Sequence, residues 1–150
     1  MTSTEPTTRI IQCPHYWIWR ENNVVLTKSI GTWERLITER FCRDFAKVRK
    51  PLEGQSWAVI YHTLEYVLGT PDLAEPLIQL SKENHVFGLT LSVKVVSDST
   101  LKQYQFSSIN KAFPGRPEPA KSFLNEDDAF QYLANRGFIT QSKSFHSAPG

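Results

Sequence analysis

The sequence predicts an α/β fold, a single mixed β-sheet with about four helices packed on it, and three observations predict it. Ser56-Trp57-Ala58-Val59-Ile60-Tyr61 is an almost wholly apolar run, the mark of a strand buried on both faces. Gly69-Thr70-Pro71 beyond it reads as a helix start, with Thr70 as N-cap and Pro71 at the first helical position, where its missing N–H costs nothing. Segments of strand character then alternate with segments of helical spacing along the chain, as helices packed on a central sheet require.

The elements follow in order. His15-Tyr16-Trp17-Ile18-Trp19-Arg20 is aromatic and β-branched, Asn22-Asn23 is a turn signal, and Val24 to Ile30 continues as a second strand, so the pair reads as a hairpin. Ile10 and Ile11 stand before it, and the pattern does not place them. Gly31-Thr32 breaks the strand, and Thr32 can cap a helix to about Lys50. Its stripe is Trp33, Leu36, Ile37, Phe41, Phe45 and Val48, ended by Pro51 and Gly54. The buried strand 56–62 comes next, then a helix from Pro71 to about Glu83 with Leu73, Ala74, Leu77, Ile78 and Leu80 on its inner side. Pro76 inside it removes a donor toward Asp72 and should kink it, and Asn84-His85 reads as its stop. In the next strand, within 87–96, Leu89, Leu91, Val93 and Val95 alternate onto one face.

Ser97-Asp98-Ser99 can cap a third helix in which Leu101, Tyr104, Ile109 and Ala112 share a side, and the Pro- and Gly-rich stretch 113–119 ends it. A short edge strand is expected near Lys121-Ser122-Phe123. Asn125 then caps the clearest helix of all: three carboxylates at its positive end, Ala129, Phe130, Leu133 and Ala134 as its stripe, and Gly137 to close it. The whole reads as one α/β domain over 1–150, with loose ends at about 1–8 and 140–150.

Composition narrows the function classes. Seventeen Lys and Arg against fifteen Asp and Glu give a net charge of +2, too balanced for a nucleic-acid partner. The local group Arg35, Arg40, Arg43, Lys47, Arg49 and Lys50 reads as the solvated face of a helix. No apolar run approaches the ~20 residues of a membrane span, and the first residues lack a signal-peptide core, so a cytoplasmic protein is expected. Cys13 and Cys42 lack paired spacing and read as small buried hydrophobes in a reducing compartment. Cys13 and His15 could supply two metal ligands where a structural zinc site wants four, so neither metal nor cofactor is expected. Single, scattered glycines make no phosphate-binding loop.

The pattern resembles a family of small bacterial proteins related to the anti-sigma-factor antagonists, the STAS-like fold, over roughly residues 14–137. Gly31-Thr32-Trp33, the strand Trp57-Ala58-Val59-Ile60-Tyr61, Gly69-Thr70-Pro71 and the closing stretch Phe123 to Leu133 carry the resemblance. It implies a regulatory serine, beside an aspartate and another serine, at the turn after the buried strand. That turn here reads His62-Thr63-Leu64-Glu65-Tyr66-Val67-Leu68-Gly69-Thr70, without an Asp-Ser-Ser cluster, so the phospho-switch does not carry over.

Two surfaces stand out. His62, Thr63, Glu65, Tyr66 and Thr70 lie just past the buried strand, where open α/β sheets bind ligands, and form a candidate ligand or partner surface. Against an acid–base role stands the simpler reading of a strand-end histidine and a solvated carboxylate, and no catalytic residue is assigned. Trp17 and Trp19 share a strand face. Core packing under a helix is the simpler account, and an exposed strip joining a homodimer is the other. The expectation is a non-enzymatic interaction or regulatory module with an unnamed protein partner. The alternative is a small-molecule or lipid-binding protein, or an enzyme without a recognisable motif, using a pocket after strand 56–62.

Overall fold

The architecture comes from a computed structural model that describes residues 10–97 and 121–145. Six strands form one mixed sheet in sequential order: β1 (Ile11–Cys13), β2 (Tyr16–Glu21), β3 (Val24–Trp33), β4 (Trp57–Gly69), β5 (Leu89–Val95) and β6 (Lys121–Phe123). β1 with β2 and β2 with β3 pair antiparallel, and β3 to β6 run parallel. The hairpin forms as expected, with Asn22 at φ 55° in its two-residue turn. Ile11 belongs to a separate edge strand, β1, so β2 is interior.

Among the described residues there are three α-helices: α1 (Arg35–Arg49), α2 (Ala74–Val86) and α3 (Glu126–Asn135). The helix expected after Ser99 lies outside the described residues. Parallel strands laid down in one direction, each joined by a right-handed crossover, put their helices on one face. Thus α1 and α2 cover a core of Tyr16, Ile18, Trp33, Phe41, Phe45, Trp57 and Val59. On the other face α3 covers Trp19, Leu26, Ile60, Val93, Phe130 and Leu133. Asn125 caps α3 as predicted, its Oδ1 accepting the Asp128 amide at 2.8 Å.

Several boundaries differ from the sequence reading, each for a physical reason. β3 runs on to Trp33 because parallel pairing with β4 continues to Trp33↔Gly69, so Trp33 is a strand residue and Thr32 caps nothing. Helix α1 starts at Arg35 behind Glu34, which makes no side-chain cap bond, and Leu36 is exposed. Arg49 leaves the solvated face of α1: it is buried, and Nη1 donates to Asn84 Oδ1 at 2.8 Å. Thr70 and Pro71 open a 3₁₀ turn, Pro71–Leu73, and α2 follows it. Pro76 therefore falls in the first turn of α2, whose N–H groups have no intrahelical partner to lose. The helix stops at Phe87 and Gly88 rather than Asn84, and Asn84 is buried. A register shift opposite Trp57/Ala58 sends Leu89 to the α1/α2 face, while Leu91, Val93 and Val95 keep the α3 face.

Candidate functional site

The site begins with an irregularity in β4. On an even pleat, His62 and Glu65 would point to opposite faces. Register against β3 shifts by one residue, from Lys28↔His62 to Ile30↔Glu65, and this bulge turns Glu65 onto the face of His62. The two then flank Lys28, whose Nζ lies 2.9 Å from Glu65 Oε2. Lys28 is buried, whereas the Glu65 side chain is 54% exposed, so one end of this ion pair is wet.

From the other side α3 adds Glu126, a first-turn carboxylate that points back to the sheet. Its Oε2 is 3.3 Å from His62 Nε2 and accepts the Phe145 amide at 2.9 Å. The Phe145 carbonyl accepts from Lys28 Nζ at 3.0 Å, and its ring lies 4.9 Å from the His62 ring. Burial pushes the His62 imidazole below its ordinary range. Glu126 opposes that shift and Lys28 adds to it. A neutral His62 donating from Nε2 leaves Nδ1 as an acceptor, and Nδ1 is buried without a hydrogen-bond partner among the described residues.

The five residues singled out beside the buried strand do not converge. His62 and Glu65 come together. Thr63 is buried, with its hydroxyl donating to the Val95 carbonyl at 2.8 Å. Tyr66 lies in the opposite-face core, edge-on to Trp33 at 5.7 Å, and burial raises its hydroxyl to about 12. Thr70 is exposed past the strand end, its hydroxyl donating to Asp72 Oδ1 at 2.5 Å. The cause is the strand itself: what reads as a turn from 62 to 70 is the second half of β4.

Trp19 is 0% exposed and its Nε1 donates to Glu21 Oε2 at 2.9 Å, which puts it in the core rather than on a contact strip. Trp17 is half-buried, with the Lys28 ammonium 4.4 Å from its ring centroid. Within the stretch read as a loose end, Phe145 is buried between Trp19 and Phe130, at ring separations of 5.6 Å from each. Sequence reasoning missed Lys28, Glu126, Glu21 and Phe145. A lysine inside the strand run Val24 to Ile30 was the available signal, since a buried ammonium needs a partner.

On the opposite face an open groove of about 560 Å³, lined by Arg35, Glu75, Pro76 and Lys82 among others, adjoins α2. Arg35 is already engaged there by Glu39 and Glu75, at 2.9 and 2.6 Å. No helix among the described residues is long and apolar enough to cross a membrane.

A hairpin-led mixed sheet, two helices on one face and a closing helix on the other define an α/β protein of SpoIIAA-like (STAS-like) fold. A similar solved structure is an uncharacterized protein of the DUF3478 family with a SpoIIAA-like fold from Shewanella loihica PV-4. It matches with a TM-score of 0.59 at 13% identity, over 89% of this chain and 99% of that one. No protein-family model matches the chain, and no curated protein does.

Proposed function

We propose that the chain is a non-enzymatic protein-interaction or regulatory module of STAS-like fold, working without the serine phospho-switch. One observation carries this reading. The groups with chemical potential inside β3 and β4 and at the start of α3, Lys28, His62, Glu65 and Glu126, are engaged with one another and with Phe145 of the same chain. On β4 Leu64 and Val67 are 40% and 55% exposed, two apolar side chains open to a protein contact. Two free cysteines, Cys13 and Cys42, go with a reducing cytoplasmic setting.

The test compares the full chain with a Leu64→Asp/Val67→Asp variant as baits for cross-linking and capture. The reading expects one protein, this chain or another, retained by the wild type and lost by the variant at an unchanged melting temperature. Equal retention by both baits would contradict it. Sedimentation across a dilution series tells self-association from a foreign partner.

A second reading, a small-molecule or lipid-binding protein at the same cluster, is favoured by His62 Nδ1, which is buried without a hydrogen-bond partner among the described residues. Native mass spectrometry decides it. A stoichiometric small molecule carried by the wild type and lost on His62→Asn would replace the first reading.

A further inference from the structure

After α3 the chain recrosses the α3-side face of the sheet as an arm, residues 139–145, without regular secondary structure. The bonds that tie it to the sheet run to side chains. Glu21 Oε1 accepts the amides of Gln141 and Ser142 at 2.8 and 2.9 Å, and Oε2 accepts the Ser142 hydroxyl at 2.6 Å. Three residues on, Glu126 accepts the Phe145 amide, Lys28 donates to the Phe145 carbonyl, and the ring enters a pocket made by Trp19, His62 and Phe130.

These contacts read only main chain, one hydroxyl and one aromatic ring. We propose that this groove is a recognition site for a peptide of the form Ser-x-x-Phe from a partner protein, occupied in cis by the chain's own Ser142-Lys143-Ser144-Phe145 as a stand-in ligand. Any segment presenting those groups meets the same acceptors, Glu21 and Glu126, the same donor, Lys28, and the same ring pocket. The arm can leave without breaking a strand ladder, because its tethers to the sheet are side chains. For its class of occupant the inference rests on the interaction-module reading, but it uses a surface other than Leu64 and Val67.

The test titrates a labelled, C-terminally amidated peptide Ile-Thr-Gln-Ser-Lys-Ser-Phe into full-length wild type and full-length Phe145→Ala, read by fluorescence anisotropy. With the cis competitor weakened, the variant should bind at least about tenfold more tightly than the wild type. A peptide with Phe replaced by Ala should not bind. Hydrogen exchange in the wild type covers a variant that fails to fold: the amides of Gln141, Ser142 and Phe145 should exchange faster than those of Val59 and Ile60. Three results would overturn the proposal: a folded variant that ignores the peptide, arm amides that exchange only with β4, or wild type that trades arms with a second copy without binding peptide. None of these would affect a partner captured through Leu64 and Val67, so the two readings fail separately.

Discussion

Glu21, the last residue of β2, takes two hydrogen bonds from Ser142, 121 positions further on: the amide at 2.9 Å and the hydroxyl at 2.6 Å. With Trp19 Nε1 and the Gln141 amide, the carboxylate accepts four donors while only 2% exposed. Buried carboxylates persist where such bonds replace water, and here those bonds tie the arm 139–145 to the sheet.

Replacing this acceptor is therefore expensive. Glu21→Gln should lower unfolding free energy by about 2 kcal/mol, as charge-assisted bonds to buried donors are lost. Urea denaturation at neutral pH measures it, and a change within about 0.5 kcal/mol, the size of an ordinary surface effect, would contradict the geometry.

Stability should fall on acidification in two steps. Burial holds the His62 imidazole below its ordinary 6.5, so the unfolded chain binds a proton that the folded chain does not. Stability is full above that value and drops as pH falls toward the lower folded pKa. For Glu21, burial pushes the carboxyl up, but bonds from Ser142, Trp19 and Gln141 together hold it below its ordinary 4.5. Its contribution is present above 4.5 and is lost as pH falls through the depressed folded value. Urea midpoints between pH 8 and about 5 should decline in the wild type and flatten in His62→Asn. Parallel curves for the two proteins would remove His62 as the source.

Lys28→Met should cost about 1–2 kcal/mol, mainly by leaving the Phe145 carbonyl without its donor. The Glu65 partner adds less, because its carboxylate is 54% exposed and can turn to water. A double-mutant cycle with Glu65→Gln should return a coupling of about 0.5–1 kcal/mol. A value several-fold larger would mean that the pair is dry.

Gly88, at φ 107°, stands where α2 turns into β5. A Cβ there would collide with the Gln55 carbonyl oxygen, so strain and clash act together. Gly88→Ala should cost about 2–3 kcal/mol by thermal or urea melts, and a neutral result would mean that the turn is built differently.

What the sequence made legible was local. The apolar run 57–60, the Asn22 turn and the Asn125 cap depend on neighbouring residues, and each appears as read. The rest depends on pairing at a distance. Gly31 reads as a break, yet β3 carries its positive φ of 76° within a continuous strand because β4 runs alongside. His62 and Glu65 share a face only through a bulge that period-2 reading cannot see. Glu126 reads as a helix-start carboxylate, which it is, but its role at His62 depends on where α3 lands on the sheet. Phe145, in a polar tail, gives no sign of the pocket that receives it.

Hydrogen exchange at the Gln141, Ser142 and Phe145 amides, in wild type and in Glu21→Met, which keeps the volume but has no acceptor oxygen, tests most directly whether the arm 139–145 is part of the site. The structure predicts measurable protection in the wild type, loss of it at Gln141 and Ser142 in Glu21→Met, and unchanged protection at Val59 and Ile60. Arm amides that exchange freely in the wild type, or that keep their protection without the Glu21 carboxylate, would contradict it.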